Sequence, residues 1–394
     1  MPGHDRRLPM KRLIFEPEHE AFRDSVRAFM QAEVAPHADR FRQQGKVDRD
    51  LYRKAGALGF LCTWADEAYG GAGIADFRFE QVVIEENALN GDPGFNLSLH
   101  SDLVAPYIAE LGSEEQKQRF MPGIVAGGTI LAVAMTEPGA GSDLAGMKTA
   151  ARRDGDDWVL NGTKTYITNG VLSDLIVVAA KSDADDPRAI TLFLVERGMA
   201  GFERGQPLAK MGLKSQDTTE LFLSNVRVPA ANVLGAAGQG FSYLTRFLVR
   251  ERLVAAIIFQ ANARKAFDLT LDYVKDRRAF GRPIGTFQNS RFKLAQMHAE
   301  IEAMQVFVDQ CVLQLNAGEL TAVDASAAKL LTSELQGRVV DECVQLYGGA
   351  GYMDEYPISR LYADARISRI YAGTSEIMRE IIGRSLGLDE RKLH

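Results

Sequence analysis

The stretch FSYLTRFLVRERLVAAII, residues 241–258, decides how the rest of the chain is read. Phe241, Leu244, Leu248, Glu251, Ala255 and Ile258 recur at steps of three and four and therefore share one face of a helix. The pattern runs on to Asp276, and helical periodicity returns over 292–317, 321–347 and 375–386. Just upstream the texture changes. Residues 130–135, 158–160, 164–168, 175–180, 190–195 and 220–228 are short β-rich runs between turn signals, and Asn161–Gly162 predicts a hairpin turn. Residues 235–240, with three glycines, read as a linker into the long helix. Before residue 129 the chain is helical again, over 17–34, 77–90, 97–111 and 113–126, where Ser113 and Gln116 have capping-box spacing. The order predicts an α+β chain: an N-terminal helical domain (1–129), a central antiparallel β domain forming a small barrel or sheet (130–240), and a C-terminal four-helix bundle (241–394).

The chain has 394 residues, too many for one simple core, with 46% apolar and 25% charged residues. A net charge of −6 argues against a nucleic-acid partner, so any anionic ligand must be held by local groups. No apolar run has the length of a membrane span. Cys62, Cys311 and Cys343 are widely spaced and odd in number, which suits a reducing, cytoplasmic setting rather than a disulfide framework. The six histidines show no ligand spacing, so no metal site is expected. The basic start, residues 1–12, reads as a disordered tail or a very short organellar presequence.

Three places could carry chemistry. Glu251 is the one carboxylate in its apolar stripe; loss of hydration raises a carboxylate's pKa and makes it a general base, unless Arg250 or Arg252 pairs with it. Residues 134–143 (AMTEPGAGSD) offer glycines for close backbone approach and short hydroxyls, or else form an ordinary glycine-rich turn. Tyr347-Gly-Gly-Ala-Gly-Tyr352 follows a helix and Ala372-Gly-Thr-Ser-Glu376 opens one, with Thr374 as N-cap; such free N–H groups attract an oxyanion or carbonyl, but both segments also read as plain helix punctuation.

Taken together, these segments resemble the acyl-CoA dehydrogenase family over nearly the whole chain. Residues 134–146 (AMTEPGAGSDLAG) and 345–364 (QLYGGAGYMDEYPISRLYAD) match its signatures, and Asp276-Arg-Arg-Ala-Phe-Gly281 with Gln288 agrees with a third pattern. Residues 210–218 and 333–380 look most like the long-chain branch. Many members carry a catalytic Glu directly before the last Gly-Thr, where this chain has Ala372; the long-chain and isovaleryl branches place it on the long helix before Arg-Leu, as in Glu251-Arg252-Leu253.

The resemblance implies FAD as cofactor, near Val133, Met135, Thr136, Gly141 and Ser142, covered by Tyr166, Ile167 and Thr168, with Thr374 and Glu376 on the same side. Arg277, Phe280, Gln288, Gln345, Leu346, Gly348 and Gly349 would hold the FAD of a neighbouring subunit, implying a homotetramer. Ser142, Arg252, Tyr371, Ala372 and Gly373 would meet the acyl-CoA substrate. The implied reaction, a step of fatty acid β-oxidation, converts an acyl-CoA to the trans-2-enoyl-CoA: Glu251 takes the α proton, hydride passes to flavin N5, and an electron-transferring flavoprotein reoxidises the enzyme. A branched-chain (isovaleryl) dehydrogenase, a flavin oxidase on the same scaffold, and a non-catalytic acyl-CoA-binding protein are the competing readings.

Overall fold

The computed structural model describes residues 10–183, 185–186 and 188–389. The N-terminal helices are α1 (Pro17–Phe29), α2 (Ala38–Gln44), α3 (Asp50–Ala57), α4 (Phe77–Asn90), α5 (Ala105–Leu111) and α6 (Glu114–Val125). The expected capping box forms at α6: Ser113 Oγ accepts from Gln116 N–H at 3.2 Å, and Gln116 Oε1 accepts from Ser113 N–H at 3.1 Å. The helix expected over 97–111 is instead a six-residue π turn, Leu99–Val104, leading into α5. Residues 1–9 of the basic start lie outside the described residues. Arg12 does not behave as a tail residue: it donates to Asp309 and Glu85, each at 2.8 Å, and so ties the start of the chain to two helices.

The strands are β1 (Leu131–Ala134), β2 (Ala150–Asp154), β3 (Asp157–Thr168), β4 (Leu175–Lys181), β5 (Ile190–Glu196), β6 (Phe202–Arg204), β7 (Thr218–Val228) and β8 (Val233–Leu234). They form one sheet in the order β6-β7-β3-β2-β4-β5-β8, with β1 beside β4. Pairing is antiparallel as expected, except that β1 and β2 each meet β4 in parallel. Alternate residues of β4 serve two cores. Leu175, Val177 and Ala179 pack toward Tyr107, Phe120 and Phe247 of the helices, and Ile176, Val178 and Ala180 pack inside the sheet with Phe193 and Val226. Because β5 and β7 lie far apart in strand order yet share that interior, the sheet curls like a small barrel.

Asn161–Gly162 is not a hairpin turn. Strand β3 runs straight through it with a register shift against β7, and a Cβ on Gly162 would lie 2.4 Å from Thr149 Oγ1. The glycine serves close strand approach and a bulge. The hairpin falls at Gly155–Asp156, where Gly155 has φ +66° and Asp154 pairs with Asp157.

The C-terminal part holds α7 (Gly240–Asp276), a short ribbon of β9 (Arg278–Ala279) and β10 (Arg282–Pro283), α8 (Gln288–Asn316), α9 (Ala322–Tyr347), α10 (Pro357–Ala365) and α11 (Ser375–Ser385). The expected long helices form, and α10 adds a short one that starts on Pro357, a residue pre-set for the first helical position. Cys62, Cys311 and Cys343 are free and buried. Among the described residues no helix is long and apolar enough to cross a membrane.

Candidate active site

Every residue of α7 from Glu251 to Ile257 is buried, so the middle of this helix is enclosed on all sides. Leu244 and Phe247 enter the core shared with the sheet, and Leu253, Val254 and Ile257 enter a second core with Phe77 and Ile84 of α4. Glu251 lies between these two cores at 6% exposure. Burial pushes its pKa up to about 7; a hydrogen bond from Tyr107 and the field of Arg252 act in the opposite direction without cancelling it. Tyr107 Oη donates to Glu251 Oε1 at 3.1 Å, and the Tyr107 ring stacks on Phe247 with centroids 4.0 Å apart.

Neither flanking arginine pairs with Glu251. Arg250 donates to Asp102 at 3.0 Å and lies 5.0 Å from the Phe77 ring centroid. Arg252 is buried and reaches Ser326 Oγ on α9 at 3.3 Å. The ion-pair reading of Glu251 is therefore set aside by geometry, since one residue along a helix is about 100° around it.

On the α9 side, Lys329 is fully buried and its Nζ donates to the carbonyl of Gly373. Burial, helped by nearby Arg252, pulls its pKa down to about 8. The turn it holds is unusual: Ala372 has φ +54° and Gly373 φ +90°. Thr374 then caps α11 as expected, accepting from Ile377 N–H at 3.2 Å. Tyr371 packs edge-on against Phe259 of α7, 5.6 Å between centroids.

Phe259 and Tyr371 line a cleft with Leu213, Gln216, Gln336 and Asp364. The cleft begins two turns beyond Glu251, about 10 Å along α7. Its sheet side is reached through Gln216, whose amide donates to Thr168 Oγ1 at 2.9 Å. Two amide oxygens in its lining, Asn87 Oδ1 and Gln336 Oε1, are buried without a hydrogen-bond partner among the described residues. A cleft with flat aromatic walls and unsatisfied acceptors suits a planar ligand with polar edges.

The other expected residues divide into two groups. Val133, Met135, Thr136 and Thr168 are half-buried, Ile167 is buried, and Gly141, Ser142 and Tyr166 are exposed at the β1 and β3 side. Thr136 and the Tyr166 neighbourhood are tied by a Thr165 N–H to Thr136 C=O bond of 2.9 Å. Glu376 is exposed in the first turn of α11. The second group gathers where α7 and α9 end and α8 begins: Arg277, Phe280, Gln288, Gln345, Leu346, Gly348 and Gly349, exposed except for half-buried Leu346. Stacked Tyr273 and Tyr347, 3.9 Å apart, join the two helix ends. Arg277 is about 39 Å along α7 from Glu251, so the second group does not lie beside Glu251 of its own chain. Among the described residues seven non-glycines have positive φ, and Tyr166, Leu213, Phe280 and Ala372 are four of them; backbone strain of this kind collects where function requires it.

Two features escaped sequence reasoning. Tyr107 looks like one more core residue in an apolar helix. In the glycine-rich segment, Glu137 is tied to Lys164 Nζ at 2.8 Å and to Thr149 N–H at 2.9 Å, which locks the turn while leaving Gly141 and Ser142 open.

Three family models cover most of the chain: the acyl-CoA dehydrogenase N-terminal domain at residues 16–128, its middle domain at 132–226 and its C-terminal domain at 238–387. The mitochondrial long-chain specific acyl-CoA dehydrogenase of Sus scrofa is 48% identical over 382 residues, which is 96% of this chain and 89% of that protein. A crystal structure of an acyl-CoA dehydrogenase from Geobacillus kaustophilus superposes with a TM-score of 0.93 at 47% identity, covering 94% of this chain and 98% of that one. A glutaryl-CoA dehydrogenase from Mycobacterium smegmatis, solved in complex with FADH2, has a TM-score of 0.88 at 32% identity, with 95% of each chain covered.

Proposed function

The chain belongs to the acyl-CoA dehydrogenase family of FAD-dependent oxidoreductases, and from that premise we propose that it oxidises the Cα–Cβ bond of a long-chain acyl-CoA, with Glu251 as the base. The observation that carries the role of Glu251 is its isolation: a buried carboxylate on the long helix, unpaired with either neighbouring arginine, whose pKa stands at about 7. Such a group is half ionised near neutrality and so can accept a proton during turnover.

FAD would sit where the cleft meets the sheet, at the Gln216–Thr168 contact; the aromatic walls and two unpartnered amide oxygens of the cleft support a planar, polar-edged ligand beside it. Val133, Met135, Thr136, Gly141, Ser142, Tyr166, Ile167, Thr168, Thr374 and Glu376 would hold it from its own subunit. The second group, at the far end of α7, would hold the FAD of a neighbouring subunit; the span along the helix and the full exposure of Phe280 (96%) support this reading and an oligomer, which we take to be a homotetramer with 1–129, 130–240 and 241–394 as its domains. Bound FAD supplies the acceptor for the electron pair that leaves with the β hydrogen.

The chain's own residues do the rest. The strained turn at Ala372, anchored by Lys329, presents a backbone N–H to the thioester carbonyl, where negative charge develops as the α proton leaves. An alanine suffices at 372 because the backbone is the donor. Glu251 takes the α proton and the C=C bond forms as the β hydrogen departs. Arg252 and Ser142 would face the CoA side, and an electron-transferring flavoprotein would be the oxidant. The test is Glu251→Gln, mixed anaerobically with acyl-CoAs of graded length and branching. FAD should remain bound, and bleaching by any of them should slow by about 10²–10⁴-fold; a variant keeping more than about a tenth of the wild-type rate removes the assignment.

A further inference from the structure

Glu251 makes one side-chain hydrogen bond among the described residues, and Tyr107 supplies it. The hydroxyl of Tyr107 has no other partner among the described residues, and the residue is fully buried. Its ring lies against Phe247, one turn before Glu251 on the same face of α7, at 4.0 Å and 28°. A ring packed flat on the helix has little torsional freedom, so packing fixes where its hydroxyl stands. The bond reaches Oε1 alone; Oε2 takes no hydrogen bond among the described residues.

We propose that Tyr107 is the positioning residue of the base: it holds one oxygen of the Glu251 carboxylate in place and leaves the other to receive the substrate's proton. The proposal rests on Glu251 being the base. A neutral donor suits this task better than a cation. An arginine at the same place would bind both oxygens and strongly depress the carboxylate's proton affinity, whereas a phenol orients the group at a smaller cost in basicity. The neighbouring elements keep the cations from hydrogen-bonding to Glu251. Asp102, on the π turn that precedes α5, draws Arg250 aside at 3.0 Å; Arg246 is engaged by Glu110 at 2.9 Å; Arg252 turns to Ser326. Inserted π turns of this kind recur at functional sites, and this one delivers both the group that removes Arg250 and the helix that carries Tyr107. The groups facing Glu251 are therefore Tyr107 from α5 and Arg252 from its own helix. Burial holds the phenol's own pKa well above its usual value, so it remains a donor across the working pH range.

The experiment compares wild type, Tyr107→Phe and Glu251→Gln as FAD-loaded enzymes, with kcat and KM for dodecanoyl-CoA measured from pH 5.5 to 9. Tyr107→Phe keeps the ring and its stack on Phe247, so FAD content and Tm should be unchanged. The acid limb of its profile should move up by about one pH unit, kcat at pH 7 should fall about tenfold, and KM should stay within about threefold. An unmoved limb with kcat within about twofold of wild type overturns the proposal. So does a loss of FAD or of Tm without a moved limb, because a purely structural tyrosine behaves that way. In either case an inactive Glu251→Gln leaves the base assignment standing, whereas an active Glu251→Gln removes the assignment itself.

Discussion

Around Glu251 helix α7 is enclosed by its own chain, while at its other end Arg277, Phe280 and Gln288 stand in the open. The enclosed region works by withholding: water is excluded, both adjacent arginines are turned elsewhere, and a carboxylate is left with one neutral partner. The open region works by offering, with donors exposed and an aromatic side chain, Phe280, held in a left-handed turn with only an edge contact to Phe287 among the described residues. In this chain the perturbed pKa is built within one subunit by burial, whereas exposed ligand contacts of the kind at the far end can be lent across an interface.

The sharpest probe of the enclosed end is pH. Glu251 has a pKa of about 7 in the folded protein, against an ordinary value of 4.5. Between those values the native state keeps a proton that the unfolded chain has lost, so wild-type stability falls as pH rises from about 4.5 to about 7. Glu251→Gln lacks this loss. Its stability advantage over wild type should be close to nil at pH 4 and grow to about 3 kcal/mol above pH 7, read from urea unfolding at the two extremes. An advantage that does not grow with pH would mean the carboxylate is solvated after all.

Next in size is the strained turn at Ala372 and Gly373. Lys329→Met leaves the Gly373 carbonyl without its buried donor and frees the Ala372 backbone; kcat should fall about tenfold with FAD content preserved. A full-rate variant would show that the turn holds its shape unaided. The smallest effect belongs to the open end. Arg277→Ala should weaken FAD retention by about tenfold or less, measured as flavin released on dilution, while turnover per bound flavin stays at wild-type level. Reduced turnover per flavin would break the proposed division between the two ends.

Much of the architecture could be read in advance because period-two and period-3.6 patterns are local properties, and the 241–258 stripe showed both the helix and its one anomalous carboxylate. The hairpin was misplaced because Asn161–Gly162 and Asp154–Gly155 are equally good turn signals in isolation; what separates them is the crowding of Thr149 against Gly162, a contact between strands. Tyr107 was invisible for a related reason. It is 144 positions from Glu251, and locally it falls among Val104, Ala105 and Ile108 as one more apolar-looking residue. The pairing of Glu137 with Lys164 was hidden in the same way, since a partner across a sheet leaves no periodic trace.

The length of α7 has a consequence for inheritance. If its two ends attend to different flavins, a subunit that has lost its base can still lend its far end to a neighbour, and a subunit with a ruined far end can still use its own base. Two defective alleles, each inactive by itself, would then restore one another in a mixed oligomer, and the severity of one lesion would depend on which other it was paired with.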